Sequence, residues 1–159
     1  MHWTDFYVAT AGAAAALTGL IFVGISINLK RILVYPALVT RASFSLILLM
    51  SILIFSLLLL IPKEGHVFFG YILALAGAAL WIVVMQADIR TYRKTEKQYK
   101  KHFVLNLVLD QISTLPYVIG GISLLYQRET GYYWFAAAFI FSYVKAVWDA
   151  WVLLIEILR

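Results

Sequence analysis

The residues able to do chemistry are few, and most gather in the last third of the chain. Asp110, Lys145 and Asp149 are ionisable groups set inside otherwise apolar segments, in the company of Asn106, Ser113, Thr114, Tyr117 and Ser142. At 100° per residue, Asp149 lies about 40°, Ser142 about 60° and Glu156 about 20° from Lys145, so all four share one narrow helical face. With Asp110 as origin, Asn106, Ser113, Thr114, Tyr117 and Gly121 fall within about 60° of it by the same arithmetic. The turn Gln127-Arg128-Glu129-Thr130-Gly131 folds one segment back on the other. A pivot at Glu129 sets Asp110 opposite Trp148 and Asp149, and sets Ser113 and Thr114 opposite Lys145. The expectation is a buried cluster of Asp110, Lys145 and Asp149. Two acids around one lysine leave a net negative charge unless a carboxyl keeps its proton or another cation or water compensates. Such a cluster either fixes helix pairing through ion pairs and hydrogen bonds, or joins subunits. Alternatively it lines a hydrated path in which the carboxylates attract cations or relay protons and Lys145 tunes them.

Other chemistries lack their parts. The chain has no cysteine, which removes disulfides, thiolate metal sites and cysteine nucleophiles together. It has no phosphate-binding glycine loop, no HExxH and no GxSxG elbow. His2, His66 and His102 fall at segment ends, away from positions where they could pair as haem ligands. Ser113 near Lys145 is the one Ser–Lys pair available as nucleophile and base, and no further catalytic part accompanies it. The sequence therefore reads as non-enzymatic, with no cofactor and no metal.

The elements that must position these groups follow from composition. Of 159 residues, 64% are hydrophobic and 13% charged, with a mean hydropathy of +0.89. A soluble domain carries about 45–50% apolar and about 25% charged residues, so this chain cannot cover itself in water. Five stretches, 5–29, 42–61, 67–87, 103–126 and 132–157, reach the roughly 20 apolar residues that cross a ~30 Å hydrocarbon layer. The reading is an all-α polytopic membrane protein, one transmembrane domain over 1–159, with five transmembrane helices in a bundle. Lys30 and Arg31 are expected to stop the first helix, and Pro36 to lie in the connection after it. The short turns after the second and fourth helices imply antiparallel neighbours. Pro116 followed by Gly120-Gly121 is expected to kink or loosen the outer half of the fourth helix. The first stretch lacks a basic leader and is too long for a cleaved signal, so it reads as retained.

Lysine and arginine counts set the expected orientation. Lys30, Arg31, Arg41, Arg90, Arg93, Lys94, Lys97, Lys100, Lys101 and Arg159 fall on one side, and only Lys63 and Arg128 on the other. This bias places the N-terminus outside and the C-terminus in the cytoplasm. Trp3, Tyr7, Phe68, Phe69, Tyr71, Tyr132, Tyr133 and Trp134 form the expected outer aromatic belt. The basic excess is then topological and gives no nucleic-acid surface, for which a folded exposed module or stacking platform is wanting. The segment from Asp88 to His102 contains no helix breaker and is expected to extend the third helix. Its Arg90, Arg93, Lys94, Lys97, Lys100 and Lys101 form either a solvated connection or a contact for anionic lipid head groups or an acidic partner. Glu156 is expected to make an interfacial salt bridge with Arg31 or Arg41. Small residues spaced by four (Ala11, Ala15, Gly19 and Gly70, Ala74, Ala78) let backbones approach closely, within the bundle or between subunits.

Two blocks carry a resemblance. They are Ala13-Ala-Ala-Ala-Leu-Thr-Gly-Leu-Ile-Phe-Val-Gly-Ile-Ser-Ile-Asn-Leu-Lys-Arg-Ile-Leu33, and Gly131-Tyr-Tyr-Trp134 with Asp149-Ala-Trp-Val-Leu-Leu-Ile-Glu-Ile-Leu-Arg159. They resemble a family of small bacterial multi-pass integral membrane proteins, some of whose members are labelled modulators of a membrane-anchored AAA protease. The resemblance covers both ends of the chain, and the family has Asn at the position of Asp149. It implies a bacterial cytoplasmic membrane location and carries no catalytic residues. The functional expectation is an ion or small-solute channel or transporter acting as a homo-oligomer. The alternative is a non-enzymatic regulator or scaffold of other membrane proteins.

Overall fold

A computed structural model describes residues 3–61, 66–94, 100–126 and 129–158. They form six helices: α1 (Trp3–Ile27), α2 (Leu29–Val34), α3 (Pro36–Leu60), α4 (His66–Lys94), α5 (Lys100–Leu125) and α6 (Thr130–Leu158). Five are long and apolar enough to cross a membrane, through Trp3–Ile27, Leu38–Leu60, Phe68–Arg93, Val104–Leu125 and Thr130–Ile155. In hydrocarbon every backbone amide must be satisfied within the chain, which is why long apolar runs become helices.

The first connection differs from expectation. Lys30 and Arg31 do not end α1; it stops at Ile27, and Asn28 makes a joint. The Asn28 amide Nδ2 donates to Gly24 O at 3.1 Å, and Asn28 O accepts the Arg31 and Ile32 amides at 3.0 and 3.1 Å. The chain then continues as the short helix α2, which carries the two cations. Pro36 begins α3 instead of lying in a connection. Its fixed φ suits the first helical position, where its missing N–H costs nothing. The residue before a proline is pushed to extended backbone, and Tyr35 caps α3 at φ −115°, ψ 106°. Ile61, before Pro62, is extended for the same reason at φ −62°, ψ 129°.

The chain divides into two compact units, Met1–Ile61 with Ser142–Arg159, and Pro62–Phe141. In the first, α1 packs on α3. Tyr7, Ala11 and Ala14 are buried on α1, with Leu48, Leu49, Ile52 and Phe55 on α3 and Ala146 and Leu153 on α6. Tyr7 is therefore a core residue stacked on Trp3 at 6.0 Å, and does not belong to an exposed belt. Ile32 anchors α2 in a cluster with Leu38, Ala42 and Leu153.

In the second unit α4 lies against α5, and glycines set how closely. A Cβ on Gly121 would stand 2.5 Å from Ala74 Cα, and one on Gly77 3.0 Å from the Tyr117 carbonyl. The small residues of α4 thus serve packing within the chain. In the same unit, Tyr117, Phe135 and Phe139 form an aromatic cluster with centroids 5.9–6.4 Å apart. The helix α5 runs without interruption through Pro116.

Candidate functional site

Four charged side chains are buried among the described residues: Asp88 at 2%, Asp110 at 3%, Lys145 at 5% and Asp149 at 2% exposure. All four lie within helices able to span a membrane. Ionisable groups in such segments are costly and turn inward to a partner or a polar path.

In the first unit, Lys145 Nζ donates to Asp149 Oδ2 one helical turn along α6. The i,i+4 spacing makes this pairing local. It joins two of the three groups expected to cluster. Ser142, on the same face, is also buried. Next to it, Tyr143 Oη donates to Thr10 O at 2.6 Å, and Thr10 Oγ1 and Ser56 Oγ lie 2.9 Å apart. These bonds tie α6 to α1 and α1 to α3.

In the second unit, Asp110 sits on the buried face of α5 with Ser113, Thr114 and Tyr117. Thr114 Oγ1 donates to Asp110 O at 2.8 Å. Ser113 Oγ reaches Leu109 O at 2.9 Å and Phe141 O at 3.3 Å. The last contact ties Ser113 to the backbone of Phe141 within the same unit, where Gly120 and Gly131 also approach closely. A Cβ on Gly131 would lie 2.9 Å from Gly120 O. Asn106 is half-buried one turn before Asp110.

Asp88 is the residue that sequence reasoning missed. The extension of the third helix past Asp88 agrees with expectation, since α4 continues to Lys94, but the burial of the Asp88 side chain was not anticipated. The signal was present in its spacing: Gly70, Gly77, Val84 and Asp88 recur at helical intervals on one buried face. Gly70 meets Leu125, Gly77 meets Tyr117, and Trp81 Nε1 donates to Gln111 Oε1 at 2.7 Å. That register places Asp110 level with Val84, and Asp88 one turn, about 6 Å, toward the basic connection. Gln111, whose amide also approaches Met85 Sδ at 4.0 Å, was likewise overlooked.

Arg31, Arg90 and Arg93 are exposed and Arg41 is half-buried. The side chains of Glu156, Lys94, Lys100 and Lys101, and Lys97 altogether, lie outside the described residues, as does Arg159. Among the described residues, no three His, Asp or Glu side chains converge as a metal site requires. No protein family, curated protein or solved structure matches the chain.

Proposed function

We propose that the chain is a bacterial cytoplasmic-membrane protein, with its N-terminus outside and its C-terminus in the cytoplasm. In this reading it assembles as a homo-oligomer that conducts or transports a small cation, the proton foremost, along the polar faces of α5 and α6. The observation that carries the reading is the burial of Asp110, with Asp88 one turn away, inside helices of membrane-spanning length. Carboxyl groups held from lipid at this depth suit cation attraction or proton relay. The hydroxyls of Ser113 and Thr114 beside Asp110 extend that polar surface. Lys145 and Asp149 form a second polar point, whose internal pairing offsets the charge of each. A protomer of this size has little room for a private channel, which favours assembly around a shared path.

A second reading has its own support. On α1, a Cβ on Gly12 or Gly19 would meet nothing within 4 Å. This open small-residue face suits close docking on another transmembrane helix, as a regulator or scaffold of a membrane partner such as a protease would need.

The purified full chain in liposomes carrying a pH-sensitive dye separates the two. Transport predicts a proton or cation flux above empty vesicles, cut at least about tenfold by Asp110→Asn and altered by Lys145→Ala. Liposomes that stay silent, from protein that co-purifies with a defined membrane partner, overturn transport in favour of the scaffold.

A further inference from the structure

Near the C-terminal end of α1, the first unit holds a groove of about 180 Å³. Leu20, Gly24 and Ile25 line it from α1, and Ala150, Leu153 and Leu154 from α6. Its walls are hydrocarbon, and it falls within segments of membrane-spanning length. The volume compares with the roughly 150 Å³ apolar cavity that takes a benzene-sized guest and stays dry. Gly24 keeps it open: a Cβ there would meet nothing within 4 Å, so this glycine makes room without bringing two backbones together.

Two cations lie on the short helix that packs against the groove's walls. Ile25 and Leu153 also belong to the cluster that buries Ile32 of α2. The two residues just before Ile32 are Lys30 and Arg31, both exposed. Leu33 and Val34 of the same short helix are exposed too, the mixture of cations and apolar side chains found at the boundary of head groups and acyl chains. An apolar slot beside a short helix that carries two cations matches a molecule with a hydrocarbon tail and an anionic head.

We propose that this groove binds one anionic phospholipid, with an acyl chain packed over Gly24 and its phosphate held by Lys30 and Arg31. The site requires only that the chain span a bilayer, and it stands whether or not the protein conducts ions. Each basic residue near an anionic head group strengthens binding about fivefold, so the pair sets a preference of about twenty-fivefold over a zwitterionic lipid.

Native mass spectrometry of the full chain, with phosphatidylglycerol and phosphatidylcholine of identical chains, tests this. The wild type should retain one phosphatidylglycerol about twenty-fivefold more tightly than phosphatidylcholine. In Lys30→Gln/Arg31→Gln the preference should fall to within about twofold, while Arg90→Gln/Arg93→Gln leaves it unchanged. Gly24→Leu fills the groove and should weaken retention of both lipids about tenfold, and Ala150→Leu, from the opposite wall, should do the same if the first variant fails to fold. Glycerol 3-phosphate, the head without the tail, should not compete at millimolar concentration. Equal retention of the two lipids by the wild type overturns the proposal. So does a preference that survives loss of Lys30 and Arg31, undiminished retention in both groove variants, or displacement by glycerol 3-phosphate.

Discussion

Gly121→Ala is the sharpest perturbation of the second unit. The added methyl would lie 2.5 Å from Ala74 Cα, 2.6 Å from Ala74 N and 2.9 Å from the Leu73 carbonyl carbon. Carbon atoms rest about 3.5–4.0 Å apart, and the obstacle is helical backbone with no flexible side chain to give way. The two helices must therefore part by about 1 Å, loosening contacts along the seam from Gly70–Leu125 to Trp81–Gln111. Overpacking of this kind costs about 1–3 kcal/mol, and a backbone obstacle puts the expectation near the top of that range. Gly77→Ala, whose Cβ would stand 3.0 Å from Tyr117 backbone atoms, should cost less. Gly12→Ala enters open space and should be neutral, or stabilise by up to about 1 kcal/mol through helix propensity. Unfolding of the purified chain in mixed micelles, titrated with SDS and followed by tryptophan fluorescence, measures all three. The order is Gly121 worst, Gly77 intermediate and Gly12 harmless. A Gly121→Ala protein as stable as Gly12→Ala would show that α4 and α5 do not approach as described.

In the same assay, Lys145→Met leaves Asp149 buried without its partner and should cost about 3–5 kcal/mol. The double variant Lys145→Met/Asp149→Leu should return close to wild type, because replacing both members of a buried pair with apolar groups is often neutral. Gln111→Leu removes the acceptor for Trp81 Nε1. It should cost only about 0.6 kcal/mol, the average for interhelical hydrogen bonds in membranes, and shift the tryptophan emission.

Much of this fold was legible as sequence because lipid imposes simple demands. Apolar runs of sufficient length gave the five spans, and helical arithmetic put Ser142, Lys145 and Asp149 on one buried face and Asp110, Ser113, Thr114 and Tyr117 on another. The features that were not legible depend on choices between near-equal local options. Lys30 and Arg31 look like a stop signal, yet Ile32 finds a place among Leu38, Ala42 and Leu153, and the chain turns at Asn28 to use it. Asp88 follows an apolar run and precedes a basic one, so its charge argued for water until the register of Gly77 and Val84 was known. In the second unit a Cβ on Gly131 would lie 2.9 Å from Gly120 O, a close approach that the turn sequence does not announce. Hydrogen bonds from Tyr143 to Thr10 and from Trp81 to Gln111 join residues distant in the chain, and no local pattern announces them.

The central claim is that lipid is the solvent for the outward faces while the ionisable groups turn inward. The chain has no cysteine, so single cysteines can carry nitroxide spin labels at Leu75, Leu105 and Val144, all exposed positions within spanning helices. In bilayers, power saturation compares collisions with oxygen, which concentrates in lipid, against collisions with a water-soluble nickel chelate. The account predicts that oxygen dominates at all three positions. Dominance of the nickel chelate at these positions would mean that they face water, and the account would be wrong.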